Sequence, residues 1–80
     1  MDYKNLPLVD ANAVGQRIKM MMKIKGYSAA DISDLLLVSQ QTVYKWIREP
    51  EALPDVQHLS DLGHLFDVSL DWLIYGKEPH

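Results

Sequence analysis

Apolar residues recur along most of this chain at three- and four-residue steps, the spacing that keeps side chains on one face of an α-helix. Val14, Ile18, Met21 and Met22 draw such a stripe on a first helix over about 11–25, stopped by Gly26. Ser28 followed by Asp31 has the form of a capping box, in which a hydroxyl and an acid three residues on satisfy each other's backbone amides. A short second helix therefore begins there, burying Ile32, Leu35 and Leu36 and ending near Leu37 and Val38. Ser39 caps a third helix that runs to about Arg48. It must stop before Pro50, because proline disfavours helical geometry in the residue before it. Pro54 and Asp55 open a fourth helix with Leu59, Leu62, Leu65 and Phe66 inward. Ser69 caps a short fifth, with Leu70, Leu73 and Ile74 on one side and Gly76 at its end. No sustained two-residue alternation and no Asn-Gly or Asp-Gly turn points to a strand. The expected fold class is all-α, a compact five-helix bundle.

The third helix carries the most chemistry. At about 100° per residue, Val43, Trp46 and Ile47 fall together as an apolar anchor. Gln40, Gln41, Tyr44, Lys45 and Arg48 fill a different arc of roughly 140°, which contains no acid. Amides that donate and accept together suit the major-groove edge of adenine, and the phenol and two cations suit neighbouring bases and phosphates. An ordinary solvated helix face is the rival reading of the same arc.

Composition narrows the choices. Eighty residues make one domain with a small core and little room for a deep catalytic cleft. There is no cysteine, which excludes disulfides and thiolate metal sites and fits a cytoplasmic setting. The longest apolar run, Leu35 to Val38, is far short of the roughly 20 residues of a membrane span, and the first nine residues are too weak for a secretory signal. His58 and His64 lie about 120° apart on the fourth helix with no further ligand beside them, so no metal or other cofactor is expected. Asp61 and Asp67 lack partner bases, and nothing pairs a nucleophile with a base, so the chain reads as a non-enzyme. Met20, Met21 and Met22 read as core filling.

A formal charge of -3 argues against nucleic acid until its distribution is considered. Between Gly15 and Arg48, six cations (Arg17, Lys19, Lys23, Lys25, Lys45 and Arg48) face only Asp31 and Asp34. Beyond Arg48, Lys77 alone opposes seven acids. One basic half joined to one acidic half implies a face for phosphate and another for solvent or protein.

Several segments fall in an order that resembles the Cro and phage-repressor family: Val14-Gly15-Gln16-Arg17-Ile18-Lys19, Gly26-Tyr27-Ser28, and Val38-Ser39-Gln40-Gln41-Thr42-Val43-Tyr44-Lys45-Trp46. Pro54, Leu62-Gly63, Phe66 to Leu73 and Gly76 continue it, so the resemblance covers about 14–76. It implies a lambda-repressor-like domain over 11–76 whose helix-turn-helix spans about 28–48, with the third helix in the major groove of double-stranded DNA. Residues 1–10 are then a flexible tail and 77–80 a second one. The function implied is that of a bacterial or phage transcriptional regulator of repressor type. Matched position by position, Gln40, Gln41, Tyr44 and Lys45 become base readers. Arg17, Ser28, Ser39, Thr42 and Arg48 become phosphate or backbone contacts, and the amino end of the second helix faces a phosphate. Trp72 and Tyr75, lying off the apolar stripe of the fifth helix, are expected half exposed and available to a homodimer contact.

The chain departs from that pattern at four places. Ala29 stands where a phosphate-holding glutamine is common, and Leu37 where the turn usually has glycine. Glu49-Pro50, with Glu51 beyond, follows the third helix where a basic segment is usual. Met22 and Ile47 replace an arginine and a glutamate together, turning an ion pair into an apolar contact, an exchange that can be neutral or stabilising. The acids and Ala29 motivate a second expectation: a protein-interaction module of the same fold with weak or lost DNA affinity.

Overall fold

The computed structural model describes residues 7–77; residues 1–6 and 78–80, most of the two expected tails, lie outside the described residues. Five α-helices follow one another: α1 Ala11–Lys25, α2 Ala29–Leu36, α3 Gln40–Arg48, α4 Val56–Phe66 and α5 Leu70–Tyr75. No strand occurs among the described residues.

Side-chain caps explain where each helix starts. Asp10 accepts from the Ala13 amide and caps α1, which begins at Ala11. Ser28 and Asp31 complete the capping box of α2 in both directions, at 3.1 and 2.9 Å. Ser39 caps α3, Asp55 caps α4 and Ser69 caps α5. The far ends of α1 and α5 close on Gly26 and Gly76 in the left-handed region (φ 79° and 76°), where a residue without Cβ meets no steric penalty. The helices α2 and α4 end on left-handed residues that are not glycine, Leu37 and Asp67, both at φ 58°.

Val14, Ile18, Ile32, Val43, Leu62, Phe66 and Leu73 are almost completely buried and form the centre of a core to which all five helices contribute. Removing each such side chain from water is worth about 1.5–3 kcal/mol. Met21 and Met22 lie in this core, while Met20 is exposed. Tyr27 closes one end against Phe66, ring centroids 6.3 Å apart. The hub is α1, which packs on α3, α4 and α5, while α2 packs on α3.

Besides Met20, other details differ from the pattern reading. Leu70, placed on the inward stripe of α5, is 37% exposed. Leu35 is 57% exposed: α2 has only eight residues, and Ile32 and Leu36 already occupy its inward arc. A single 3-10 turn, Pro50–Ala52, links α3 to α4, and no periodicity announces an element so short.

Candidate nucleic-acid interface

Val43 is fully buried and Trp46 is 5% exposed, so the back of α3 is wedged into the core, and Ile47 is packed against it. This fixes the rotation of the helix. Gln40, Gln41, Tyr44, Lys45 and Arg48 are consequently all exposed on the other side. Among the described residues, no hydrogen bond or ion pair engages the side chains of Gln40, Gln41 or Lys45. Arg48 lies over the Tyr44 ring, 5.0 Å from its centroid. Gln41, Tyr44, Lys45, Arg48 and Glu49 line one shallow, open depression. The face expected from helical geometry is therefore brought together on one surface.

The depth at which α3 seats depends on Gly15. A Cβ placed there would come 2.8 Å from the Trp46 carbonyl oxygen, so the missing side chain is what lets α1 approach the backbone of α3. Sequence alone shows the glycine but not the helix it meets. Beside that approach, Asn12, Gln16, Arg48 and Glu49 rim a small polar groove. His58, expected to be an isolated histidine, lies behind α3 with its ring 5.4 Å from that of Trp46 and its Nδ1 2.9 Å from the Asp55 carboxylate.

At the start of α3, Ser39 Oγ accepts from the Thr42 amide at 3.0 Å and lies 2.8 Å from Thr42 Oγ1. Both hydroxyls are thus held by the cap, and the amides of Gln40 and Gln41 remain as first-turn donors without an intrahelical acceptor. At the start of α2 the capping box engages the amides of Ser28 and Asp31 and leaves those of Ala29 and Ala30. The Asp31 carboxylate is held below its ordinary pKa, chiefly by the Ser28 amide and then by the Ser28 side chain. Its negative charge lies in the first turn of α2, the end that the resemblance turns toward a phosphate.

Arg17, expected at a phosphate, is tied to the far end of the chain: its NH1 donates to the Leu73 and Ile74 carbonyls, both at 3.1 Å, and its guanidinium lies where a Cβ on Gly76 would fall. A cation that satisfies the orphan carbonyls of a helix end also meets the negative end of the helix dipole. Arg17 thus caps α5. Trp72 is half-buried and packed against the core, and Tyr75 is 37% exposed.

The helix-turn-helix family model matches residues 18–73. The chain belongs to the Cro/C1-type helix-turn-helix family. It is 33% identical over 66 residues to the repressor protein CI of Enterobacteria phage phi80, covering 82% of this chain and 27% of that protein. It is 31% identical over 65 residues to the HTH-type transcriptional regulator SinR of Bacillus licheniformis, covering 81% of this chain and 59% of that one. It therefore spans only part of the length of these relatives. Among solved structures, the P22 c2 repressor protein in complex with a synthetic operator is similar with a TM-score of 0.72 and 26% identity, over 80% of this chain and 96% of that one. The all-helical, lambda-repressor-like architecture expected from the sequence is the one found. No helix among the described residues is long and apolar enough to cross a membrane.

Proposed function

We propose that this helix-turn-helix chain binds double-stranded DNA in a sequence-specific way, as the DNA-binding part of a transcriptional repressor in the bacterial cytosol or nucleoid. The observation that carries this reading is the exposed, acid-free face of α3 standing on a buried Val43 and Trp46. A rigidly seated helix with its amides outward can enter a major groove without rearrangement. Gln40, Gln41 and Lys45 are the base readers in this reading, and each good amide-to-adenine pair would contribute about 1–3 kcal/mol of discrimination. Ser28, Ser39, Thr42 and Arg48, with the first-turn amides of α2 and α3, serve the phosphate backbone. Relatives that are repressors or transcriptional regulators support the same assignment. Trp72 and Tyr75 are the surface for a homodimer, which would place half-sites about 34 Å apart.

Selection of bound duplexes from a random pool by the purified protein tests this directly. Enrichment of a defined motif is expected, and Gln40→Ala or Gln41→Ala should change the preferred base at one position each. Losses that ignore sequence at both glutamines would reject the base-reading assignment.

Glu49 and Glu51, both exposed next to Arg48, favour a second reading, a protein-interaction module with this fold. Salt separates the two. Duplex binding weakens as salt rises, with a slope near -0.9 for each phosphate neutralised; a chain that retains no salt-dependent affinity for any duplex belongs to the second reading.

A further inference from the structure

Tyr44 and Arg48 sit one helical turn apart on the exposed face of α3, with the guanidinium carbon 5.0 Å from the ring centroid. A cation over an aromatic face is attracted by the ring quadrupole. The carboxylate of Glu49 is the next residue along, yet no ion pair joins it to Arg48 among the described residues. The arginine is held on the ring instead. The guanidinium's N–H donors have no hydrogen-bond or ion-pair partner among the described residues, so they remain available to a ligand. Arg48 is the last residue of α3, and a helix whose first residues meet base edges carries its last turn toward the phosphate backbone.

We propose that Tyr44 is a positioning residue and not a base reader: its ring face holds the Arg48 guanidinium away from Glu49 and aimed at a DNA phosphate, so that the two side chains act as one clamp. This rests on α3 being the recognition helix. The phenol hydroxyl is then dispensable, and the ring is not.

The test is a double-mutant cycle on the purified chain, using one selected duplex and several single-base variants of it, with helical content checked for each protein. Tyr44→Ala should weaken every duplex alike, by about two- to fivefold for an exposed contact of this kind. Tyr44→Phe should bind as the parent does. In an Arg48→Ala background, Tyr44→Ala should cost nothing further, and Arg48→Ala should reduce the salt slope by about one. In the free protein, the Arg48 side-chain protons should show ring-current shifts that Tyr44→Ala abolishes and Tyr44→Phe preserves. The clamp is overturned if Tyr44→Phe loses as much as Tyr44→Ala, if the losses at 44 and 48 simply add, or if Tyr44→Ala changes the preferred base. A parent chain with no salt-dependent duplex binding removes the recognition-helix reading and the clamp with it, whereas a parent that binds while the cycle is additive removes the clamp alone.

Discussion

Leu37 holds φ 58° and ψ 44° at the end of α2, with its side chain 90% exposed. Its Cβ is strained there, which costs about 1–2 kcal/mol relative to a residue that tolerates this region, and no burial offsets it. Leu37→Gly or Leu37→Asn is therefore expected to stabilise the domain by about 0.5–1 kcal/mol, the greater freedom of the unfolded glycine taking back part of the gain. Urea unfolding measures it, and a loss of stability in both variants would show that the turn does not bear the strain. The same residue type would have been read as core on hydrophobicity alone, and only the comparison with a glycine position flagged it. Asp67, at the same angles, needs no such relief, because a short polar side chain is tolerated in this region. Asp31 gives a residue-level pH dependence. Its folded pKa lies below the ordinary value, about 3.9 for a free aspartate, so its contribution to stability is complete above that value and fades as pH falls through the folded one. Asp31→Asn should narrow the stability gap to the parent as the solution is acidified, as followed by denaturation at successive pH values. A gap independent of acid would remove the capping carboxylate from the account.

At the scale of elements, the starts of α2 to α5 were legible because serine and aspartate caps are local, and so was the rotation of α3, since Val43, Trp46 and Ile47 belong to one short segment. What was not legible is contact between distant segments. The partners of Arg17 are the carbonyls of Leu73 and Ile74, far along the chain, and nothing in the neighbourhood of Arg17 hints at them. Its match to the family pattern and its positive charge suggested a phosphate. Arg17→Ala is expected to destabilise the domain by about 1–3 kcal/mol and to remove amide-exchange protection from α5, while leaving the salt slope of duplex binding unchanged. A slope reduced by about one, with α5 intact, would restore the phosphate role. Gly15 is the other junction. A methyl group there meets the backbone of α3 at Trp46, and a backbone atom cannot rotate aside as a side chain can. Gly15→Ala should cost about 1–3 kcal/mol by overpacking and disturb Trp46 fluorescence, because α3 must move outward for the helices to fit. Unchanged emission together with unchanged stability would mean that α1 and α3 do not approach so closely.

Over the whole molecule the opposing charges of the two halves decide how a duplex is met. The exposed cations of α3 lie at the border between them, since Glu49 and then Glu51 follow Arg48. A net charge of -3 repels a polyanion at long range, while the α3 face attracts it at short range, and these terms respond differently to salt. Glu49 is the sharper probe, because it shares the depression with Lys45 and Arg48. Its charge is exposed, so its repulsion of phosphate is screened over about 10 Å at 0.1 M salt. Glu49→Gln should raise duplex affinity severalfold in dilute buffer, and the advantage should shrink steadily as salt is added. The preferred sequence should stay the same, because the carboxylate lies past the end of the helix and repels the phosphates of every sequence alike. A gain that persists at high salt would instead mean that Glu49 restrains Arg48 or Lys45 by a direct contact made only in solution. No gain at any salt concentration would mean that the duplex never comes near the end of α3, and the docking of that helix along the groove would have to be turned around.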